Sequence, residues 1–232
     1  MLKNMDCLDF MAGIPEGSID LILTDPPYGI SKKTGFQCGG GKQFKRIKIS
    51  KDFGKWDLPQ TSTLLRAIEE FYRTLRVGGT AIIFYDMWKI QELRGWMESV
   101  GFRMIRKIEW VKSNPVPLNQ HKTYLGNACE LAIVGTKGAK PTFHGKYDNG
   151  LYTCPVRNGG KRIHPTQKPL SLIEELIRKH SNAGDSVMDC FLGSGTTALA
   201  AEILGRTAFG CEKDSGYYRA MIRRLGEYGI KK

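Results

Sequence analysis

The chain has 232 residues, 41% of them hydrophobic, which fits one large domain with a proper core. Its apolar runs fall short of the roughly 20 residues of a membrane span, and the opening MLKNMDCLDF lacks the apolar stretch of a signal peptide. The net charge of +12 points to a polyanionic partner, because phosphates attract such a surface and release counterions on binding it.

Six cysteines lie scattered at 7, 38, 129, 154, 190 and 211 without a C-x-x-C pair. This predicts reduced thiols and a cytoplasmic protein. The four histidines show no metal-ligand spacing, so no metal site is expected.

In chain order, IDLIL (19–23) reads as a buried strand that ends in the corner TDPPY. Residues 31–60 are polar, with the glycine cluster CGGGK (38–42), and are expected to form a mobile loop. Lys32, Lys33, Lys42, Lys45, Arg46, Lys48, Lys51 and Lys55 face only Asp52 and Asp57 there, so this segment carries half of the excess charge. A solvated, solubilising loop has the same composition. TSTLLRAIEEFYRTLRVGG (61–79) has helical spacing, Thr and Ser at its start and a glycine stop. TAIIFY (80–85) is predicted as a strand, MWKIQELRGWMESVG (87–101) as a helix and FRMIRKIEWVK (102–112) as an alternating strand.

The irregular stretch 113–128 precedes the strand CELAIVG (129–135), and residues 136–168 read as loop. KPLSLIEELIRKHSNAG (168–184) reads as a helix with Pro169 near its start and Gly184 just past its end. DSVMDC (185–190) is a strand, FLGSG a tight turn and TTALAAEILG (196–205) a helix. A strand at 206–212 and a helix at 214–229 complete the chain. Strands alternating with helices predict an α/β fold, a mostly parallel sheet with helices on both faces, in one domain over 1–232.

VMDCFLGSGTTALAA is strand, glycine turn, helix, and ligands of such sheets sit beyond the carboxyl ends of strands. Gly193 and Gly195 would let a ligand approach the backbone, and the helix from Thr196 would offer free N–H groups. Glu212 follows about 20 residues later, where an acid grips a ribose diol in nucleotide folds. The sequence lacks G-x-x-x-x-G-K-[ST], and Ala198 stands where G-x-G-x-x-G needs its third glycine. Asp189, just before the turn, would repel a pyrophosphate but suits a cationic amine. S-adenosylmethionine meets these conditions, with a ribose, an ammonium group and no phosphate. Alone, GSG also fits an ordinary βα turn packed by glycines.

In the DPPY corner, Pro26 and Pro27 fix φ and bring no N–H, so the corner offers acceptors without a competing donor. The Asp25 carboxylate and the Pro26 carbonyl are placed to take both hydrogens of an exocyclic base amine. That grip would free the nitrogen lone pair for a methyl sulfonium, while Asp25 stabilises the charge developing on nitrogen. Tyr28 supplies a flat wall for a base flipped from the duplex, a stacking contact worth about 1–3 kcal/mol.

DPPY (25–28) together with DCFLGSGTT (189–197) resembles the DNA amino-methyltransferases, S-adenosylmethionine enzymes that modify adenine N6 or cytosine N4. The catalytic motif precedes the cofactor motif, as in the permuted β group of that family. MDCLDF (5–10), LRVGGTAIIF (75–84), EWVKSNP (109–115), HPTQKP (164–169) and GCE (210–212) match as well, so the likeness runs nearly end to end. It implies a Rossmann-like methyltransferase fold with circularly permuted motif order. It also implies that Asp25, Pro26, Pro27 and Tyr28 hold the target base. Asp189, Phe191, Gly193, Ser194 and Gly195 would line the methionine part of the cofactor, with Asp25 alongside and Thr196 and Thr197 at the helix entrance. Glu212 would bind the ribose, Asp6 and Cys7 the adenine, and Lys168 would close the pocket.

An acid in first place of the four-residue motif goes mostly with adenine N6 in that family, and a serine with cytosine N4. The resemblance therefore implies N6-adenine methylation of double-stranded DNA, as in restriction-modification systems. The alternatives are an N4-cytosine enzyme, an RNA or protein-amide methyltransferase and a non-catalytic DNA-binding relic. The target-recognition region is short, about residues 114–163, and holds Lys122, Lys137, Lys140, Lys146, Arg157, Lys161, Arg162, His121 and His144. Such a short reader suggests a short target or a second subunit, and a homodimer is the family expectation.

Overall fold

Leu21, Ile22 and Leu23 are all fully buried, with the outer two feeding one apolar layer and Ile22 the other. Burying each contributes about 1.5–3 kcal/mol, which makes this run the natural centre of a sheet. The computed structural model describes residues 1–27, 36–37, 48–49, 61–115, 128–156, 163–164 and 166–230. Its elements are β1 (Leu2–Lys3), α1 (Cys7–Ala12), β2 (Ile19–Thr24), β3 (Phe36–Gln37), β4 (Lys48–Ile49), α2 (Thr61–Thr74), β5 (Leu75–Tyr85) and α3 (Ile90–Val100), then β6 (Arg103–Lys112), β7 (Cys129–Thr136), β8 (Leu151–Cys154), α4 (Leu170–His180), β9 (Ser186–Asp189), α5 (Thr196–Ile203), β10 (Thr207–Cys211) and α6 (Ser215–Glu227).

The main sheet runs β1-β10-β9-β2-β5-β7-β6-β8. Neighbours from β1 to β5 pair in parallel, as do β6 and β8. β7 is antiparallel to both β5 and β6. Helices cover both faces. Phe10, Met11, Ile68, Phe71, Leu93 and Met97 from α1, α2 and α3 pack on one face. Ile173, Ile177, Leu199, Ala200, Met221 and Leu225 from α4, α5 and α6 pack on the other. β5 alternates between the two layers, with Ile82 and Phe84 in one and Ala81 and Ile83 in the other. This is the mostly parallel, doubly covered α/β sheet expected from the alternation of elements.

Several elements differ from the sequence expectation. The helix expected over 61–79 ends at Thr74, and LRVGG already belongs to β5. Leu75 pairs with Ile19, after which β5 takes five residue steps, Leu75 to Thr80, where β2 takes two, Ile19 to Leu21. The glycines serve this bulge instead of a helix stop: Gly78 has φ +83, and a Cβ on Gly79 would strike the Leu75 side chain and the Asp20 carbonyl at 2.8 and 2.9 Å. The helix expected from residue 87 starts at Ile90, because Asp86 Oδ1 accepts from the Trp88 N–H and holds the preceding turn.

α4 stops at His180, four residues before Gly184. Ser181 is extended, and its carbonyl accepts from Arg206 Nη2 at 2.8 Å. Residues 136–168 are not all loop, since β8 extends the sheet edge there and the Cys154 carbonyl accepts from Trp110 Nε1. The N-terminal pair β1 and α1 was unassigned from sequence.

Within 31–60, the described residues form only the antiparallel pair β3 and β4, so this stretch is not without strands; the expected mobility and basic surface of the rest lie outside the described residues. β8 also occupies part of 114–163. Lys137 there turns to the scaffold, with its ammonium 4.9 Å from the Tyr72 ring centroid and donating to the Arg73 carbonyl. His144 is likewise tied to the scaffold, through Asn182 at 2.8 Å. Lys122, Arg157, Lys161, Arg162 and His121 fall outside the described residues. No helix among the described residues is long and apolar enough to cross a membrane. Cys7, Cys129, Cys154, Cys190 and Cys211 are free thiols.

Candidate active site at the carboxyl ends of β2 and β9

β2 and β9 are parallel neighbours, with Leu21 opposite Val187 and Ile22 opposite Met188. From β2 the chain goes through α2 to β5 on one side, and from β9 through α5 to β10 on the other. The two connections part company, which opens the crevice that α/β sheets use for ligands. The DPPY corner leaves one strand and the glycine turn leaves the next. Thr24 Oγ1 donates to Asp189 Oδ1 at 2.6 Å and ties them together.

Asp189 is buried, and its carboxylate accepts from Thr24 and from the Phe191 N–H at 3.0 Å. Burial pushes its pKa up to about 6 despite these donors, and the nearby Asp25 charge adds to the rise. Among the described residues this carboxylate meets no cation.

Asp25 has one. Its Oδ2 accepts from Lys168 Nζ at 2.5 Å, and the buried ammonium also lies 3.0 Å from Glu130 Oε2. Glu130 in turn pairs with Lys112 at 2.7 Å. Burial works against the Lys168 ammonium, yet Asp25 and Glu130 outweigh it and raise its pKa. Burial likewise opposes ionised Glu130, and Lys168 and Lys112 overcome it. Lys168, expected to close the cofactor pocket, thus directs its ammonium to Asp25 and Glu130. Pro26 is buried beside Asp25, and Pro27 is half-buried. Tyr28 lies outside the described residues.

The glycine turn divides its labour. Gly193 has φ +48, and its N–H donates to Glu212 Oε2 at 2.8 Å. A Cβ there would only touch the His164 ring, at 3.4 Å. Gly195 has φ +71, and a Cβ would sit 2.3 Å from Met221 Cγ. Gly195 therefore lets α6 pack close. Ser194 and Thr196 bond to each other and to α6: their hydroxyls meet at 3.0 Å, and Arg224 donates to the Ser194 carbonyl and to Thr196 Oγ1, both at 2.9 Å. Thr197 lies near Asp189, and its hydroxyl favours the ionised carboxylate. Phe191 is partly buried and lies two residues after Asp189.

β1 runs beside β10 and delivers residues 4–7 to the same end of the sheet. Asn4 Nδ2 donates to the Glu212 carbonyl at 2.6 Å. Asp6 caps α1 by accepting from the Leu8 N–H, and pairs with Lys213 at 2.9 Å. Glu212 accepts from the Gly193 and Asp214 N–H groups, and burial raises its pKa. The Cys7 side chain is the exception: it lies in the core with Cys190 and Cys211, and burial pushes its thiol up to about 12. Only its main chain is left to face a ligand. Sequence reasoning missed Glu130 and Lys112. The signal was an acid opening the apolar strand CELAIVG, since an unpaired acid is seldom buried.

A family model described as DNA methylase matches residues 19–223. The chain is 29% identical to the type II methyltransferase M2.DpnII of Streptococcus pneumoniae, over 97% of its own length and 89% of that protein. It is 29% identical to the type II methyltransferase M.HinfI of Haemophilus influenzae, over 96% of its length and 67% of that protein. Among solved structures it resembles the M1.HpyAVI–SAM complex, with 27% identity, a TM-score of 0.73 and coverage of 97% and 98% of the two chains. It shares its fold with the PvuII cytosine-N4-specific DNA methyltransferase, with 19% identity, a TM-score of 0.74 and coverage of 97% and 85%.

Proposed function

The chain belongs to the DNA methylase family, and from that premise we propose that it transfers a methyl group from S-adenosylmethionine to the exocyclic N6 of an adenine flipped out of double-stranded DNA. The observation that carries this reading is the Thr24–Asp189 hydrogen bond, which sets the DPPY corner and the glycine turn side by side.

The residues suit the cofactor chemically. Asp189 offers a buried, unneutralised carboxylate to a cationic amine, Glu212 offers one to a diol, and the φ +48 turn at Gly193 keeps the backbone low between them. Phe191, Thr197 and the main chain at Asp6 and Cys7 border the same end of the sheet. When bound, the cofactor supplies an electrophilic methyl group on a sulfonium centre.

Everything else falls to the chain's own groups. Asp25 and the Pro26 carbonyl accept the two N6 hydrogens, which localises the nitrogen lone pair. The Asp25 carboxylate then faces the positive charge that builds on N6, with its orientation set before the reaction. Lys168 pairs with that carboxylate and fixes its orientation. Tyr28 stacks on the base. Asp25 in first place of the motif supports adenine over cytosine. The reduced share of 114–163 left for reading DNA, once β8 is counted as scaffold, supports a homodimer that reads a short site. Free thiols and a DNA substrate support a cytoplasmic location.

The test is to incubate the protein with duplex DNA and methyl-labelled S-adenosylmethionine and identify the product nucleoside. N6-methyladenine is the expected result. N4-methylcytosine would move the assignment to the other amine, and label in RNA alone would overturn the DNA substrate.

A further inference from the structure

Four alternating charges run inward from β6 to the DPPY corner: Lys112, Glu130, Lys168 and Asp25, with successive separations of 2.7, 3.0 and 2.5 Å. They come from the end of β6, the start of β7, the segment before α4 and the end of β2. Lys168 is only 7% exposed, and its ammonium lies 4.9 Å from the Phe84 ring centroid. Lys112 lies 5.3 Å from the ring of Trp110. Buried chains of this kind seldom add stability over apolar residues of the same volume, because desolvation offsets the attraction. This chain ends on the acid that faces the amine.

We propose that Glu130, anchored by Lys112, is a positioning residue for methyl transfer: it shares the Lys168 ammonium with Asp25, so that Lys168 orients the Asp25 carboxylate without neutralising it. The inference rests on the reading of Asp25 as the acid that receives the amine. Without Glu130, Lys168 loses one of the two acids it meets among the described residues. It then draws fully on Asp25, whose oxygens become poorer acceptors for N6–H. The groups that face Asp25 among the described residues are Lys168, Glu130 beyond it and Asp189 on the neighbouring strand. Removing the negative Glu130 stabilises ionised Asp25, and removing the positive Lys168 does the opposite.

The experiment compares wild type with Glu130→Gln and Lys168→Met. It measures the single-turnover methyl-transfer rate, S-adenosylmethionine affinity by calorimetry, melting, and the Asp25 titration by carboxyl carbon NMR in the free protein. Glu130→Gln should slow transfer about 10- to 100-fold, leave cofactor affinity within about twofold and lower the Asp25 midpoint. Lys168→Met should raise that midpoint, and it keeps the test open should Glu130→Gln not fold. An unchanged rate, an unmoved midpoint or midpoints moving the same way would overturn the proposal. So would a rate loss tracked by equal losses of affinity and melting temperature. Failure of the wild type to methylate DNA would sink the functional reading instead, and the two midpoints would still decide whether the charge is shared.

Discussion

Asp25 and Asp189 follow neighbouring parallel strands and stand one hydrogen-bonded threonine apart, yet their surroundings differ in one respect. Asp25 has a buried ammonium at 2.5 Å. Among the described residues Asp189 has only neutral donors, the Thr24 hydroxyl and the Phe191 amide, and burial lifts its pKa to about 6. One carboxylate is paired with an ammonium by the protein itself. The other keeps its charge at a cost of roughly 2–3 kcal/mol at neutral pH, which a bound cation would repay. The pair shows how one fold assigns two acids to two partners: the base amine to Asp25, whose charge is already balanced, and the cofactor amine to Asp189, whose charge is not.

The sharpest way to break this division is at Asp25. Asp25→Ala should lower methyl transfer about 1000-fold, while calorimetric affinity for S-adenosylmethionine stays within a few-fold. Retained turnover would remove Asp25 from the chemistry. Asp189→Asn should do the reverse, weakening the cofactor about 10- to 100-fold. It should also hold or raise the melting temperature at pH 7.5, since the costly buried charge is gone. That stability difference should shrink as pH falls through about 6, where the wild-type Asp189 takes up a proton. A large fall in melting temperature at neutral pH would mean the charge is already paired.

Glu212→Ala should weaken the cofactor about tenfold, because Glu212 also holds the Gly193 amide; unchanged affinity would take it out of the site. The mildest effect is that of pH on the wild type. Cofactor affinity should fall several-fold between pH 7.5 and 5.5 as Asp189 protonates, and the Asp189→Asn protein should lose this dependence.

The central sheet was legible because β2, β5 and β9 are buried on both faces and read as apolar runs. The two motifs were legible because turn glycines and a Pro-Pro corner leave a local mark. The β5 bulge was not, since a helical period over 61–79 continues into residues that the pairing of Leu75 with Ile19 claims for the sheet. β8 escaped because its four residues gain their strand only from β6 and the docking of Trp110 on Cys154. The packing role of Gly195 was hidden for a similar reason: its neighbour Met221 lies on a helix about two dozen residues away, and spacing alone cannot show what fills the gap above a glycine. The Lys168–Glu130 pairing is likewise a long-range contact between separate segments, visible beforehand only as an acid at the head of an apolar strand.

The most direct measurement is a crystal structure of the protein with S-adenosylmethionine. The ammonium group should lie within hydrogen-bond distance of Asp189, with the sulfonium methyl turned toward Asp25. A cofactor whose amine pairs with Lys168-bound Asp25, or whose methyl points away from the DPPY corner, would contradict the division of roles between the two acids.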